Sequence, residues 1–231
     1  MVRRVERDGE AVEVVGRQAR RREETRGRLL EAARALTLER DVEAITIADI
    51  TARADVGFGS FYNYFESKEA ILEATTEREA ELLQAALEEL LATEQDVAVR
   101  LAVAVRYIAK LTLDDPMWRW LFSHSSYGFL AIRRATGPAF ERDLKNGKRS
   151  GRFAFDHPVS AMEFVFGGML AVFGAAVGGR IDQRSVEHAV VLVLRSLGVA
   201  DAAALTRRKL PPMTPKRAEG EGRRRELTGR R

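Results

Sequence analysis

Few residues in this chain have the types and spacing that catalysis needs. There is no cysteine, which removes thiolate nucleophiles, thiolate metal sites and disulfides. The only histidines, His124, His157 and His188, stand far apart and lack metal-ligand spacing. Ser123-His124-Ser125 sets hydroxyls beside an imidazole, but no G-x-S-x-G and no strand framework accompany it. Asp114 and Asp115 read more simply as helix caps than as an acid–base pair, and the glycine-rich pieces lack the phosphate-loop pattern. An enzyme, a cofactor and a metal are therefore not expected. The rival enzyme reading, a small-molecule catalyst on a helical scaffold, would need a constellation of groups that the sequence does not offer.

What is concentrated in one place is hydrogen-bonding chemistry. Residues 46–68 read TIADITARADVGFGSFYNYFESK. Tyr62 and Tyr64 carry hydroxyls suited to phosphate oxygens, and Thr46 stands where a helix begins. Lys68 puts a cation in the first turn of a helix, opposing the macrodipole by about 0.3–1 kcal/mol. A phosphate at that helix end would resolve the conflict. Gly57 and Gly59 each lower helix stability by about 1 kcal/mol relative to alanine, and would let backbone approach a partner closely. Phe58, Ser60 and Asn63 would be among the residues that this segment leaves exposed. Phe58 equally fits a core, since positions 58, 61, 62 and 65 share a face.

The elements that must position these groups are helical. Apolar spacing is helical nearly throughout, with no internal repeat and no convincing strand. A first helix is expected over 24–40, with Leu29, Leu30, Ala33 and Leu36 inward. Thr46-Ile47-Ala48-Asp49 reads as a capping box opening a short second helix. Asp55-Val56-Gly57 is the turn, and a third short helix spans 58–64. Ile47, Ile50, Val56, Phe61 and Phe65 can pack the pair, which makes it a helix-turn-helix whose second helix would enter a major groove. Ser67 can cap a fourth helix from Lys68 to Ala92, about 38 Å long, enough to leave one domain and enter another. Five further helices follow, over about 96–113, 117–123, 126–146, 158–177 and 185–197. The seventh is expected to bend at Gly137-Pro138. The fold class is thus all-α with about nine helices.

The second half carries no trusted motif. Its aromatic residues Tyr107, Trp118, Trp120, Phe122, His124, Tyr127, Phe129 and Phe166 are the candidates for a mostly apolar ligand pocket with a few polar handles. Any one of them fits a core equally well. The run AMEFVFGGMLAVFGAAVGG is apolar nearly all round. Phe166, Leu170, Phe173, Gly174 and Gly178 there, with Val186, Val190, Val193 and Leu197 on the ninth helix, offer two apolar helices, and the family resemblance given below implies that they form a homodimer's four-helix bundle. A membrane-associated helical protein is the rival reading, because the run is near the lower length limit of a span. Glu163 inside it, and the lack of a second span, argue for no membrane.

Charge is placed rather than spread. The chain is +4 overall, while residues 207–231 hold ten Lys/Arg and three Asp/Glu. Arg17, Arg20, Arg21, Arg22, Arg26 and Arg28 form a second basic cluster near the N-terminus. Arms of this kind add salt-sensitive phosphate contacts, or serve only as disordered solubilising tails. The first residues are charged and lack a signal peptide's apolar run.

The run from Glu24 to Glu73 resembles the DNA-binding domain of the tetracycline-repressor (TetR) family. The family pattern is matched by Ala32-Ala33, Thr46, Ile50, Val56, Gly59, Phe61-Tyr62, Tyr64-Phe65 and Ser67-Lys68-Glu69. It is departed from at Asp41-Val42, Thr51, Asp55 and Gly57, and Phe61 stands where leucine is common. The resemblance implies Thr46, Tyr62 and Lys68 as phosphate contacts, and residues near Phe58, Ser60 and Asn63 as base readers. Gly57, Gly59 and Tyr64 complete the expected DNA-binding set. It also implies an N-terminal three-helix helix-turn-helix domain joined by the long fourth helix to a C-terminal helical ligand-binding and dimerisation domain. The expected division is a disordered basic arm (1–22), the DNA-binding domain (23–70), the helical domain (71–206) and a disordered basic tail (207–231). The implied protein is a cytoplasmic, homodimeric transcription regulator, a repressor bound to a near-palindromic double-stranded operator and released by a small, largely apolar effector.

Overall fold

The structure is a computed structural model that describes residues 2–124 and 127–212, with side chains over 18–123 and 128–212. Ten helices make up the described chain: α1 (Val2–Glu39), α2 (Ile47–Ala54), α3 (Phe58–Phe61), α4 (Lys68–Leu90), α5 (Val97–Asp114), α6 (Pro116–His124), α7 (Tyr127–Arg149), α8 (Pro158–Val177), α9 (Gln183–Ser196) and α10 (Ala202–Thr206). The all-helical expectation holds. Two differences stand out in the count and the ends. The tenth helix, five residues opened by Asp201, is too short to show a period in sequence. The first helix reaches back to Val2, across residues expected to be disordered. Its Arg-, Glu- and Ala-rich composition without proline has the propensity for that.

The chain divides into two compact units, Met1–Thr75 and Thr76–Arg231. The first is a small core of Leu29, Leu30, Ala33, Leu36, Ile45, Ile50, Phe61, Phe65 and Ile71. The apolar stripe of α1 meets α2 and α3 there, leaving their other faces to solvent. The second packs α5 at its centre, with α6 to α10 contributing Met117, Trp118, Leu144, Phe173, Val190, Leu194 and Leu205 to one core.

Local chemistry explains most helix starts. The Asp96 and Asp182 carboxylates accept the N–H groups of Ala98 and Ser185, and the His157 ring accepts that of Ser160 ahead of Pro158. The stop after α9 is Gly198 at φ 81°, a left-handed position where an added Cβ would also lie 2.7 Å from the Ala154 side chain. Pro138 lies inside α7. Arg152, in the α7–α8 loop, ties three segments together. It reaches Asp96 Oδ1 and Oδ2 at 2.9 and 3.0 Å, and Asp201 Oδ1 at 2.8 Å. Residues 207–212 lie along α5, where Arg106 donates to the Arg208 carbonyl at 2.7 Å and the Tyr107 hydroxyl donates to that of Pro211. Residues 213–231, the rest of the expected basic tail, lie outside the described residues.

Candidate nucleic-acid interface and ligand cavity

The geometry of the first unit is set by two small devices. Thr46 caps α2 through a complete capping box: its Oγ1 accepts the Asp49 N–H at 3.2 Å, and its own N–H donates to Asp49 Oδ2 at 2.9 Å. Hydrogen bonds from the Thr46 side chain and backbone hold the Asp49 carboxyl below its usual range, and Arg40 at 3.3 Å adds to this. Aspartate is a less common third residue than glutamate in such a box, yet here it closes both bonds. The turn after α2 is made by Asp55 at φ 52°, its N–H returned to Thr51 and Ala52 carbonyls. A non-glycine residue is uncommon there, and aspartate is among those that tolerate it. Arg28 donates to the Asp55 carbonyl at 3.3 Å, fastening the turn to α1.

This frame presents α3 outward. Phe61 is fully buried, whereas Phe58 and Tyr62 are each 53% exposed and meet edge-to-face at 5.9 Å. Phe58 is thus a surface aromatic rather than a core one. Gly57, Gly59, Ser60 and Asn63 are exposed beside it. Neither glycine is needed by the fold. Neither has a positive φ, a Cβ on Gly59 would meet nothing within 4 Å, and one on Gly57 would make only an ordinary contact with Ser60. The α-helix ends at Phe61, short of the expected Tyr64, as two glycines in so short a segment would favour. Tyr64 is half-buried under Arg22, whose guanidinium lies 5.9 Å above its ring. Thr46 is exposed at the start of α2.

Lys68 has a local explanation that the sequence did not reveal. Its Nζ donates to the carbonyls of Glu43 at 3.1 Å and Val42 at 3.3 Å, so the cation ties α4 to the loop before α2.

In the second unit, a cavity of about 60 Å³ lies between α5, α6, α7 and α8. Phe122, Phe129 and Phe166, three of the eight pocket candidates, line it, with Leu101, Ala104, Met169 and Phe173 among the others. The one polar side chain in the lining, Thr136, returns its hydroxyl to the Ile132 carbonyl at 2.8 Å, so the interior is apolar. Tyr107 and Trp118 are buried elsewhere in the core, and burial pushes the Tyr107 phenol up. Trp120 is half-buried and outside the lining, and the His124 and Tyr127 side chains lie outside the described residues.

A second cavity, of about 50 Å³, shares Leu101, Ala104, Thr136 and Phe140 with the first. Its far wall is polar: Gln84, Glu88, Arg100 and Asp143. Arg100 Nε meets Asp143 Oδ2 at 2.9 Å, its Nη1 meets the Leu91 carbonyl at 2.6 Å, and Arg142 pairs with Glu88 at 2.9 Å. Sequence reading missed this set because its residues are scattered over three helices at ordinary surface-like positions.

The expected dimer residues divide. Phe166, Phe173, Val186, Val190, Val193 and Leu197 are buried within the chain's own core, Leu170 and Gly174 are half-buried, and Gly178 is exposed. Among the apolar groups that α8 and α9 leave outside are Val159, Phe164, 65% exposed, and Leu192, 64% exposed, and Gly167, Gly168 and Ala171 of α8 are exposed as well. An all-round apolar helix gives no hint of which side faces out. Pro158–Val177 is also the one helix among the described residues long and apolar enough to cross a membrane. Its Glu163 pairs with Arg133 of α7 at 2.7 Å.

Comparison with known proteins decides the family. Residues 29–75 match the profile of the bacterial regulatory proteins of the tetR family, and residues 96–208 match a tetracyclin repressor-like C-terminal domain. The structure of RolR with its ligand resorcinol is 33% identical, with a TM-score of 0.76, over 85% of this chain and 100% of that one. This chain belongs to the tetR family. RolR without ligand is similar at 32% identity and a TM-score of 0.73, covering 81% of this chain and all of that one. SmeT, the repressor of a Stenotrophomonas maltophilia multidrug efflux pump, shares the fold at 24% identity and a TM-score of 0.57, over 75% of this chain and 91% of that one. An uncharacterized HTH-type transcriptional regulator of Mycobacterium tuberculosis is 32% identical over 98 residues. That match spans 42% of this chain and about half (48%) of that protein. As a tetR-family chain, this is a DNA-binding transcriptional regulator, and its family consists of regulators rather than enzymes.

Proposed function

We infer that this regulator is a cytoplasmic repressor that holds a near-palindromic operator as a homodimer and lets go when a small hydroxylated aromatic binds its second unit. The observation that carries the effector class is the joined pair of cavities. One compartment is apolar and ringed by phenylalanines, and the next carries Arg100 and Asp143. An aromatic ring suits the first, and a hydroxyl that can donate to a carboxylate and accept from a guanidinium suits the second. RolR, similar over its whole length, is a resorcinol-binding protein, which supports the same class here.

On the DNA side, Thr46, Tyr62, Tyr64 and Lys68 are assigned to phosphates, and Gly57, Phe58, Gly59, Ser60 and Asn63 to the major groove. The exposure of Phe58 and Tyr62, and two glycines that the fold does not require, support that assignment. The second copy is assigned to the outer face of α8 and α9, around Phe164 and Leu192. Within the second unit, Glu77 and Glu88 of helix α4 pair with Arg134 and Arg142 of α7. The helix also lines the polar compartment through Gln84, Leu87 and Glu88, so an effector there touches it directly.

The test is selection of bound duplexes from random DNA, followed by addition of resorcinol, catechol and phenol to the complex. A near-palindromic consensus released by at least one of these phenols is expected. A consensus without two-fold symmetry, or a complex indifferent to all three while the protein binds them, would reject the reading.

A further inference from the structure

The helix-turn-helix accounts for α2, α3 and the start of α4, but not for the basic face of α1 beside them. Gln18, Arg21, Arg22 and Thr25 recur at three- and four-residue spacing, so they share one side of α1. With Asn63 and Tyr64 they line an open cleft of about 490 Å³. Its lining contains no carboxylate. Glu23, the nearest acid in sequence to Arg22, is turned toward Arg26 at 4.0 Å.

Arg22 is held in place there. One Nη donates to the Asn63 carbonyl at 3.3 Å, and the guanidinium plane rests 5.9 Å above the Tyr64 ring. A guanidinium fixed on an aromatic face keeps its remaining N–H groups oriented and loses little freedom on binding an oxyanion. Arg21 and Gln18 add a cation and an amide on the same side, and both are exposed. The cleft is continuous with the reading face, because Asn63 belongs to its wall and directly follows the exposed Tyr62.

We propose that this cleft seats a DNA backbone phosphate just beyond the bases read by α3, extending the footprint of each protomer along the operator flank. The proposal rests on the DNA-binding reading of α3. Phosphate contacts carry no sequence information, so the cleft raises affinity for all duplexes alike and makes binding more salt-sensitive. One phosphate per protomer adds about 1.8 to the magnitude of the salt slope of a dimer, or about twelvefold in affinity between 50 and 200 mM salt.

The experiment compares the full chain with Arg21→Gln and with Arg21→Gln/Arg22→Gln on the selected operator duplex, across that salt range. Tyr62→Phe serves as the reference. The double variant is expected to lose about 1.8 from the slope without altering the ranking of operator sequences, and to lose one phosphate per half-site from an ethylation-interference footprint. Because Arg22 also supports Tyr64, the single Arg21→Gln variant guards against a misplaced α3. It is expected to lower the slope while thermal unfolding stays that of the parent. Unchanged slope and footprint in both variants, with Tyr62→Phe still weakened, would overturn the cleft alone. A parent chain that selects no duplex would instead overturn the DNA reading on which it rests.

Discussion

Filling the apolar cavity separates effector response from everything else the protein does. Ala104 lines both compartments, so Ala104→Leu puts new side-chain atoms at their shared wall. If the added atoms fill the 60 Å³ compartment without strain, about 24 cal/mol per Å³ gives a gain of at most about 1.4 kcal/mol. For a unit of this size that raises the unfolding midpoint by about 3–6 °C. Strain from overpacking would subtract about 1–3 kcal/mol, so a small change of either sign is compatible with a filled cavity. The decisive quantity is the response. Two assays are needed, thermal unfolding with and without resorcinol, and release of a fluorescent operator duplex as resorcinol is added. Operator affinity without ligand should stay within twofold of the parent, while the concentration for half-release rises by more than tenfold. A variant that releases its operator at the parental concentration would refute the placement of the effector.

Other expectations follow from named contacts. Lys68→Ala removes two hydrogen bonds from a half-buried ammonium and should cost the first unit about 1–2 kcal/mol. If its third N–H also holds a phosphate, the operator salt slope falls as well, and urea unfolding beside a salt titration separates the two roles. In the second unit, burial pushes the Asp96 carboxyl up, but bonds from Arg152 and the Ala98 N–H outweigh it, leaving it below its ordinary 3.8. Asp201 is lowered mainly by its bond to Arg152. A carboxylate depressed in the folded state stabilises above its unfolded pKa, and that stability is lost as pH falls through the folded value. Thermal midpoints should therefore drop below about pH 4 in the parent, and Arg152→Met should flatten that acid limb while lowering stability at pH 7; an identical acid limb would remove the Arg152 contacts as its cause. Phe164→Glu with Leu192→Glu should give monomers by sedimentation, and an intact dimer would move the interface elsewhere.

What could be read from sequence was whatever a short run encodes by itself. The capping box at Thr46, the turn at Asp55 and the aromatic run to Phe65 are local patterns, and they placed α2, α3 and the start of α4. Helix starts at Asp96 and Pro158 were legible for the same reason. What was hidden depends on which groups tertiary packing brings together. The partners of Lys68 are two backbone carbonyls some 25 residues earlier in the chain, which no side-chain pattern signals. The cavity wall comes from four helices, so Phe122, Phe129 and Phe166 could not be told from Trp118, which lies in solid core. Helix α8 is apolar nearly all round, and only the packed structure shows Phe166 and Phe173 turned inward with Phe164 outward. Arg100 and Asp143 look in sequence like two ordinary surface charges, and they read as a polar end to a ligand site only once paired beside an apolar cavity.

On the proposed function, occupancy of the second unit's cavity and occupancy of the operator oppose one another. By linkage, the operator must weaken effector binding by the same factor by which the effector weakens operator binding. Calorimetric titration of resorcinol into the protein, alone and saturated with its selected duplex, measures that factor in one experiment. Clear weakening by the duplex is expected, equal to the loss of operator affinity that resorcinol causes. Equal resorcinol affinity with and without the duplex would contradict it.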